Sequence, residues 1–242
     1  MAVSGQSGTT EAVTFDVGYT LIEPSPPVGE VVAEVATAFG LTLTPAEAGS
    51  RFLEAWERTR THHDGLVYGT NHEDALAYWR KVFSHMLQRP VGDTAVTGLV
   101  LNLYERFSGA GSWGLTPGWE ETFAGLRRHG IKIGLVSNWD IRLRRILEGL
   151  GLLDQVDAVV ISAECAMEKP APGIFQRALD LLGLTHTPHT CLHLGDTWRE
   201  DVLGAAGAGL RPAWFNPRGL PRPAAGPDCA EIRTLPELLS RV

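Results

Sequence analysis

Ile131-Lys132-Ile133-Gly134-Leu135-Val136-Ser137-Asn138-Trp139-Asp140 is an apolar run that ends abruptly in polar residues. Its apolar part, Ile131 to Val136, is short and bounded by Gly130, the pattern of a strand buried on both faces. Upstream, Trp119 to His129 has helical spacing and stops at Gly130. Downstream, Leu143 to Leu150 is helical again. A helix, a buried strand and a second helix within such a short stretch point to a parallel sheet with helical crossovers.

The alternation continues toward the C-terminus. Val156 to Ile161 reads as a strand, and Ile174 to Leu182 as a helix stopped at Gly183. Cys191 to Leu194 is a strand, Asp201 to Ala208 a small-residue helix stopped at Gly209, and Leu210 to Phe215 a strand. Pro217 to Pro227 is a proline-rich loop, and Leu235 to Arg241 is expected to be a closing helix packed on the sheet. Ala12 to Phe15 supplies one more strand near the N-terminus. The pattern predicts an α/β fold, a Rossmann-like parallel sheet covered on both faces.

Between Val28 and Phe107 no strand signal occurs. Val31 and Val35, Phe52 and Trp56, Leu76, Trp79, Val82, Phe83 and Met86, then Leu99 and Leu103, recur at helical spacing. Pro45 and Asp93 stand at helix starts, and residues 65–70 form one of the turns. The expectation is about four helices inserted as a cap: residues 23–111, with residues 1–22 and 112–242 forming the core. The cap aromatics Trp56, Tyr78, Trp79 and Phe83 are expected in its core.

The bulk numbers narrow the function. In 242 residues, 44% are hydrophobic and the formal net charge is -7. An acidic balance argues against a nucleic-acid partner, because phosphate backbones recruit basic stripes. A small anionic substrate needs only a local positive pocket. Cys165, Cys191 and Cys229 are odd in number and far apart, so neither a disulfide framework nor a zinc site is expected. No run of ~18 apolar residues is present to span a membrane. Residues 1–11 lack a signal core. A cytoplasmic protein is expected, a monomer or a homodimer.

Ligands of open parallel sheets bind beyond the carboxyl ends of the strands. Those ends here carry Asp16-Val17-Gly18-Tyr19-Thr20, then Ser137-Asn138-Trp139-Asp140, then Gly195-Asp196 followed by Asp201, with Lys169-Pro170 after the third strand. Each residue alone has an ordinary reading as a helix cap or a surface charge. Their joint placement on a single sheet edge does not. Asp16, Asp196 and Asp201 would crowd three carboxylates together, which a hard divalent cation relieves; magnesium (Mg2+) suits one or two carboxylates plus phosphate oxygens. Lys169 adds positive charge, and Ser137 and Asn138 can donate to phosphate oxygens. Phosphoryl transfer needs mainly such positioning and neutralisation. Trp139 and Trp198 are candidates for the cleft wall and rim, and His193, inside a strand, for a satisfied core histidine.

With these residues the sequence resembles the haloacid dehalogenase superfamily over about residues 11–242. The family motifs, Asp-x-x-x-Thr, a strand-end Ser or Thr, Lys, and Gly-Asp-x-x-x-x-Asp, are matched by Asp16 and Thr20, Ser137, Lys169, and Gly195-Asp196 with Asp201. Pro117-Gly118 and Lys169-Pro170-Ala171-Pro172-Gly173-Ile174-Phe175 are also similar. The helical insert resembles the family's first type of cap, and Ser137-Asn138-Trp139-Asp140 with Arg142-Leu143 resembles the rhythmically expressed gene product subgroup. The resemblance implies a magnesium-dependent phosphatase of a small phosphorylated metabolite. Asp16 would be the nucleophile that forms an aspartyl-phosphate, Lys169 its cationic partner, and Thr20, Ser137, Asn138 and Lys169 the phosphate-binding set. Asp16, Asp196, Asp201 and the backbone carbonyl of Gly18 would serve the metal.

One position departs from the family pattern. Phosphatases of the family carry a second Asp two residues after the nucleophile, where this chain has Gly18. General acid–base catalysis is typically worth ~10²–10⁴ in rate. Three readings follow. In the first, a phosphatase finds its proton elsewhere (Asp140, His62, His63, His72 or a water) or uses leaving groups that need none. In the second, the chain runs dehalogenase or phosphonate-hydrolase chemistry; the former keeps no Asp196 of this form, and the latter needs a cap lysine, where only Lys81 is on offer. In the third, it is a phosphate-binding or regulatory module with little turnover.

Overall fold

The structure, a computed structural model, describes residues 9–61 and 66–242. Its elements begin with β1 (Ala12–Phe15), β2 (Ile22–Pro24), α1 (Val28–Thr37), α2 (Pro45–Thr61), α3 (His72–Leu87) and α4 (Thr94–Arg106). After them come β3 (Trp113–Leu115), α5 (Trp119–Arg128), β4 (Lys132–Ser137), α6 (Leu143–Gly149), β5 (Ala158–Ile161), α7 (Ser162–Cys165) and α8 (Pro172–Leu182). The chain closes with β6 (Cys191–Gly195), α9 (Gly204–Gly207), β7 (Arg211–Phe215) and β8 (Ala230–Ile232).

Six strands form one sheet in the order β5-β4-β1-β6-β7-β8, all neighbours parallel. β1 lies between β4 and β6, with Phe15 opposite both Leu135 and Leu194. Side chains alternate across each strand. Val13, Phe15, Ile133, Leu135, Leu192 and Leu194 pack with Phe123 and Leu126 of α5 and with α6. Ala12, Val136, Val160 and Cys191 pack with Ile174, Phe175, Ala178 and Leu179 of α8. Both faces are covered, so the strands read as continuous apolar runs.

The four inserted helices share a separate apolar cluster that includes Val32, Tyr78, Val82, Phe83, Leu99 and Leu103, with Trp56 and Trp79 partly buried against it. Their ends are set locally. Thr44 and Glu47 form a reciprocal capping pair at the start of α2, with Pro45 in its first turn. Asp93 caps α4 by accepting from the N–H groups of Ala95 and Val96.

Several sequence expectations need correction. β2 and β3 form an antiparallel ribbon that pairs the two chain segments flanking the helical insert. At three residues each, neither is long enough to show a period, and Pro24 is tolerated on the edge. β8 is equally short. The expected Asp201 to Ala208 helix starts earlier, as a π-helical turn over Trp198–Leu203 that continues into α9. The closing segment is a 3-10 helix, Leu235–Ser240, packed chiefly against α5. All three cysteines are free. Among the described residues no helix is long and apolar enough to cross a membrane.

Candidate active site

β1 delivers Asp16 to the carboxyl edge of the sheet, where its backbone N–H donates to Leu194 O at 2.8 Å. Lys169 Nζ lies 2.6 Å from Asp16 Oδ1 and 2.6 Å from Asp201 Oδ1, with Lys169 only 3% exposed. His193 Nε2 is 3.2 Å from the same Asp201 oxygen, and the Thr197 N–H donates to Asp201 Oδ2 at 2.9 Å. Oxygens of Asp16, Asp196 and Asp201 all lie within 4.8 Å of one another. Gly195 makes this possible, since a Cβ there would collide with the Asp201 carboxylate.

The charges of this cluster follow from burial and pairing. Burial, only partly opposed by Lys169, pushes Asp16 up to about 6. Asp196 is pushed up to about 8, first by burial and then by repulsion from Asp16 and Asp201. Burial also opposes the charge on Asp201, but Lys169 and the His193 hydrogen bond outweigh it and hold that carboxyl well below the usual range. Lys169 is desolvated too, yet Asp16 and Asp201 raise it above an ordinary lysine. Burial lowers His193, which is therefore neutral near pH 7. Its Nε2–H then donates to Asp201 while Nδ1 accepts from Thr14 Oγ1 at 2.9 Å. His193 is the satisfied core histidine expected from the sequence, and it also orients Asp201.

Three carboxylates around one ammonium leave an excess of negative charge, and the donors are all hard oxygens. That set fits a divalent cation of the magnesium type. Asp201 already accepts from Lys169, His193 and Thr197, so Asp16 and Asp196 keep more lone-pair capacity for an ion.

The remaining candidates sit as follows. Thr20 is buried, with Oγ1 3.5 Å from Asp16 Oδ2, at the edge of hydrogen-bonding range. Ser137 is buried at the end of β4, beside β1. The Asn138 side-chain amide holds the Lys169 main chain, accepting from Lys169 N–H at 2.7 Å and donating to Lys169 O at 2.8 Å. Gly18 lies under an indole; a Cβ there would meet Trp139 Cζ3 at 3.1 Å. Trp139 thus packs over the loop that follows Asp16, edge-on to Trp113 at 5.0 Å. Trp198 instead anchors the proline-rich loop, donating to Ala225 O at 3.1 Å and packing edge-on to Trp214.

Of the suggested proton donors, Asp140 is committed. It is 1% exposed and paired with Arg142 through Nε at 2.9 Å and Nη2 at 2.6 Å. His72 is exposed on α3 and bonded to Tyr104 Oη; His62 and His63 lie outside the described residues. Lys81 is exposed on α3.

Two residues escaped the sequence reading. Glu200 sits on the π-helical turn between Asp196 and Asp201, and Arg60 of α2 pairs with it at 2.6 Å. Burial holds Glu200 above an ordinary glutamate, opposed only in part by Arg60. A glutamate inside Gly195-Asp196-x-x-x-x-Asp201 was the available signal; its cap partner, distant in sequence, had none.

A parallel α/β sheet with a buried Asp-Lys-Asp cluster at its central strand edge defines a class of hydrolytic sites, and sequence comparison agrees. Residues 10–209 match the model for haloacid dehalogenase-like hydrolases, and the chain belongs to that family. It is 35% identical over 202 residues to haloacid dehalogenase-like hydrolase domain-containing protein 3 of Bos taurus, covering 82% of this chain and 78% of that one. It is 28% identical over 210 residues to the rhythmically expressed gene 2 protein of Drosophila melanogaster, covering 83% and 81% respectively. Among solved structures, a HAD phosphatase from Thermococcus onnurineus superposes with a TM-score of 0.65 at 26% identity, covering 96% of this chain and 97% of that chain.

Proposed function

We propose that the chain is a magnesium-dependent phosphatase of small phosphorylated metabolites. The observation that carries this reading is the Asp16 carboxylate 2.6 Å from a buried ammonium, with two further carboxylates beside it.

Asp16 is ionised near neutral pH and faces the open end of the sheet, so one of its oxygens can attack phosphorus. The bond from phosphorus to the leaving oxygen breaks with its electron pair, leaving a phosphoryl group on Asp16. Water then attacks phosphorus, releasing inorganic phosphate and restoring the carboxylate. Lys169 holds the Asp16 oxygen in place and offsets charge on the phosphoryl group, which Thr20 and Ser137 line. Asp201, fixed by His193 and Thr197, keeps Lys169 charged and aimed. Asp16, Asp196 and the Gly18 carbonyl would hold Mg2+, which when bound neutralises phosphoryl charge.

Gly18 and Trp139 shape the substrate preference. With an indole over Gly18 and Asp140 locked to Arg142, neither of these two positions offers an acid to a leaving oxygen. Leaving groups that depart without a proton, aryl and acyl phosphates, are favoured over sugar phosphates. The same pair of residues favours a second reading, a phosphate-binding or regulatory module with little turnover.

Hydrolysis of p-nitrophenyl phosphate by the purified protein, with and without magnesium, separates the two. Magnesium-dependent turnover lost in Asp16→Asn supports the phosphatase. Tight phosphate binding without turnover supports the module.

A further inference from the structure

The loop that carries Lys169 is tied to the helical insert at two consecutive residues. Glu168 accepts directly from the Val67 N–H, at 3.0 Å from its Oε2. Lys169 is reached through a relay. Arg60 Nη2 donates to Glu200 Oε1 at 2.6 Å, and Glu200 Oε2 accepts from Asn138 Nδ2 at 3.2 Å. The Asn138 amide in turn grips the Lys169 main chain from both its N–H and its carbonyl, at 2.7 and 2.8 Å.

The pair at the head of this relay is not a loose surface contact. The Arg60 and Glu200 side chains are 19% and 20% exposed, and the Arg60 guanidinium lies 5.0 Å from the centroid of the Trp56 ring. Both ends are therefore partly ordered by packing, the condition under which an ion pair fixes geometry. The main-chain position of residue 169 decides where its ammonium falls relative to Asp16 and Asp201. A misplacement of about 1 Å at such a site can cost ~10²-fold in rate.

We propose that Arg60 and Glu200 are positioning residues that transmit seating of the helical insert to Lys169. The cationic side of the site is then fully assembled only when the insert is docked and water is excluded. The kinetic part of this inference rests on the phosphatase reading. The part concerning the Lys169 main chain does not.

The test compares wild type, Arg60→Met, Glu200→Met and the double variant. Arg144→Gln, which breaks the exposed Arg144–Glu164 pair on the core, is the control. Two quantities are measured: kcat and KM for p-nitrophenyl phosphate with magnesium, and hydrogen–deuterium exchange of a peptide spanning residues 166–171. Each single variant should lower kcat by roughly ten- to a hundredfold, with KM nearly unchanged. The double variant should be no worse than the poorer single one, because both break the same relay. Exchange at residues 166–171 should quicken in both singles while β1 and β4 stay protected, and the control should match wild type in both measurements. A double variant whose loss equals the product of the single losses would overturn the proposal, as would unchanged exchange at residues 166–171. If the wild type turns over no substrate, exchange alone decides: faster exchange upholds the relay while the phosphatase reading falls, and unchanged exchange sinks the relay.

Discussion

The Lys169 side of the site and the Gly18 side are held in opposite ways. Lys169 sits between two carboxylates at 2.6 Å each, Asp201 accepts from three donors, and Asn138 clamps the lysine's main chain. Two residues past Asp16, Gly18 offers no side chain, and an aromatic ring fills the space above it. Tyr19 follows with φ 56°, left-handed backbone that disfavours side chains, and the residue is 47% exposed. One side is preorganised to neutralise charge; the other carries no acid and stores strain. On the phosphatase reading proposed above, charge stabilisation is retained and the leaving group departs without a proton from the protein.

The largest effect should come from breaking the anchored side. Lys169→Met leaves Asp16 and Asp201 buried without their cation. Loss of one partner of a buried pair costs on the order of 3–5 kcal/mol, and loss of a charge-stabilising donor ~10²–10³ in kcat. Thermal unfolding without magnesium and steady-state kinetics with it measure the two losses. A variant as stable and active as wild type would erase the contrast.

The open side predicts a steep dependence on leaving group. Aryl phosphates should be cleaved about 10²-fold or more faster than alkyl phosphates, the range general acid catalysis normally supplies. Gly18→Asp alone should change alkyl phosphate rates little, because the new side chain must displace Trp139. Combined with Trp139→Ala it should raise them by about tenfold, within the same range. A flat dependence in wild type would mean that another group supplies the proton.

Magnesium should stabilise the protein through Asp16 and Asp196, and more so at higher pH. Asp16 and Asp196 are raised in the fold to about 6 and about 8. Both bind protons more tightly folded than unfolded, so without metal their own contribution to stability falls as pH rises from about 4 through 8. At a hundredfold excess over Kd, a bound ion adds about 2.7 kcal/mol, or roughly 5–10 °C in Tm for a chain of this size. Calorimetry at pH 6 and pH 8, with magnesium and with chelator, should show the larger shift at pH 8. The shift should shrink in Asp196→Asn.

The smallest effect is Tyr19→Gly. Relief of left-handed strain, worth about 1–2 kcal/mol, is offset in part by the greater freedom of glycine in the unfolded chain. A Tm rise of a few degrees is expected. A fall would mean that the tyrosine ring contributes packing that outweighs its backbone strain.

The two sides were not equally legible in the sequence. Asp16, Lys169, Asp196 and Asp201 each follow a buried strand or its loop, so the strand pattern alone brings them to one edge. The indole over Gly18 could be suspected from Trp139 but not placed, because ring orientation is a packing outcome. Arg60 and Glu200 were invisible as partners, since their pairing depends on how the helical insert seats on the core. The strand-end position of Asn138 was legible, but the two hydrogen bonds of its amide to the Lys169 main chain depend on how the two loops pack. Strands of three residues, β2, β3 and β8, carry too few positions to express a period.

The most direct test of the central claim is acid-quenched turnover of an aryl phosphate with magnesium, followed by peptide mass spectrometry. A phosphoryl group on the peptide containing Asp16, absent in Asp16→Asn, is the expected result. Steady hydrolysis with no phosphorylated peptide, and undiminished in Asp16→Asn, would contradict it.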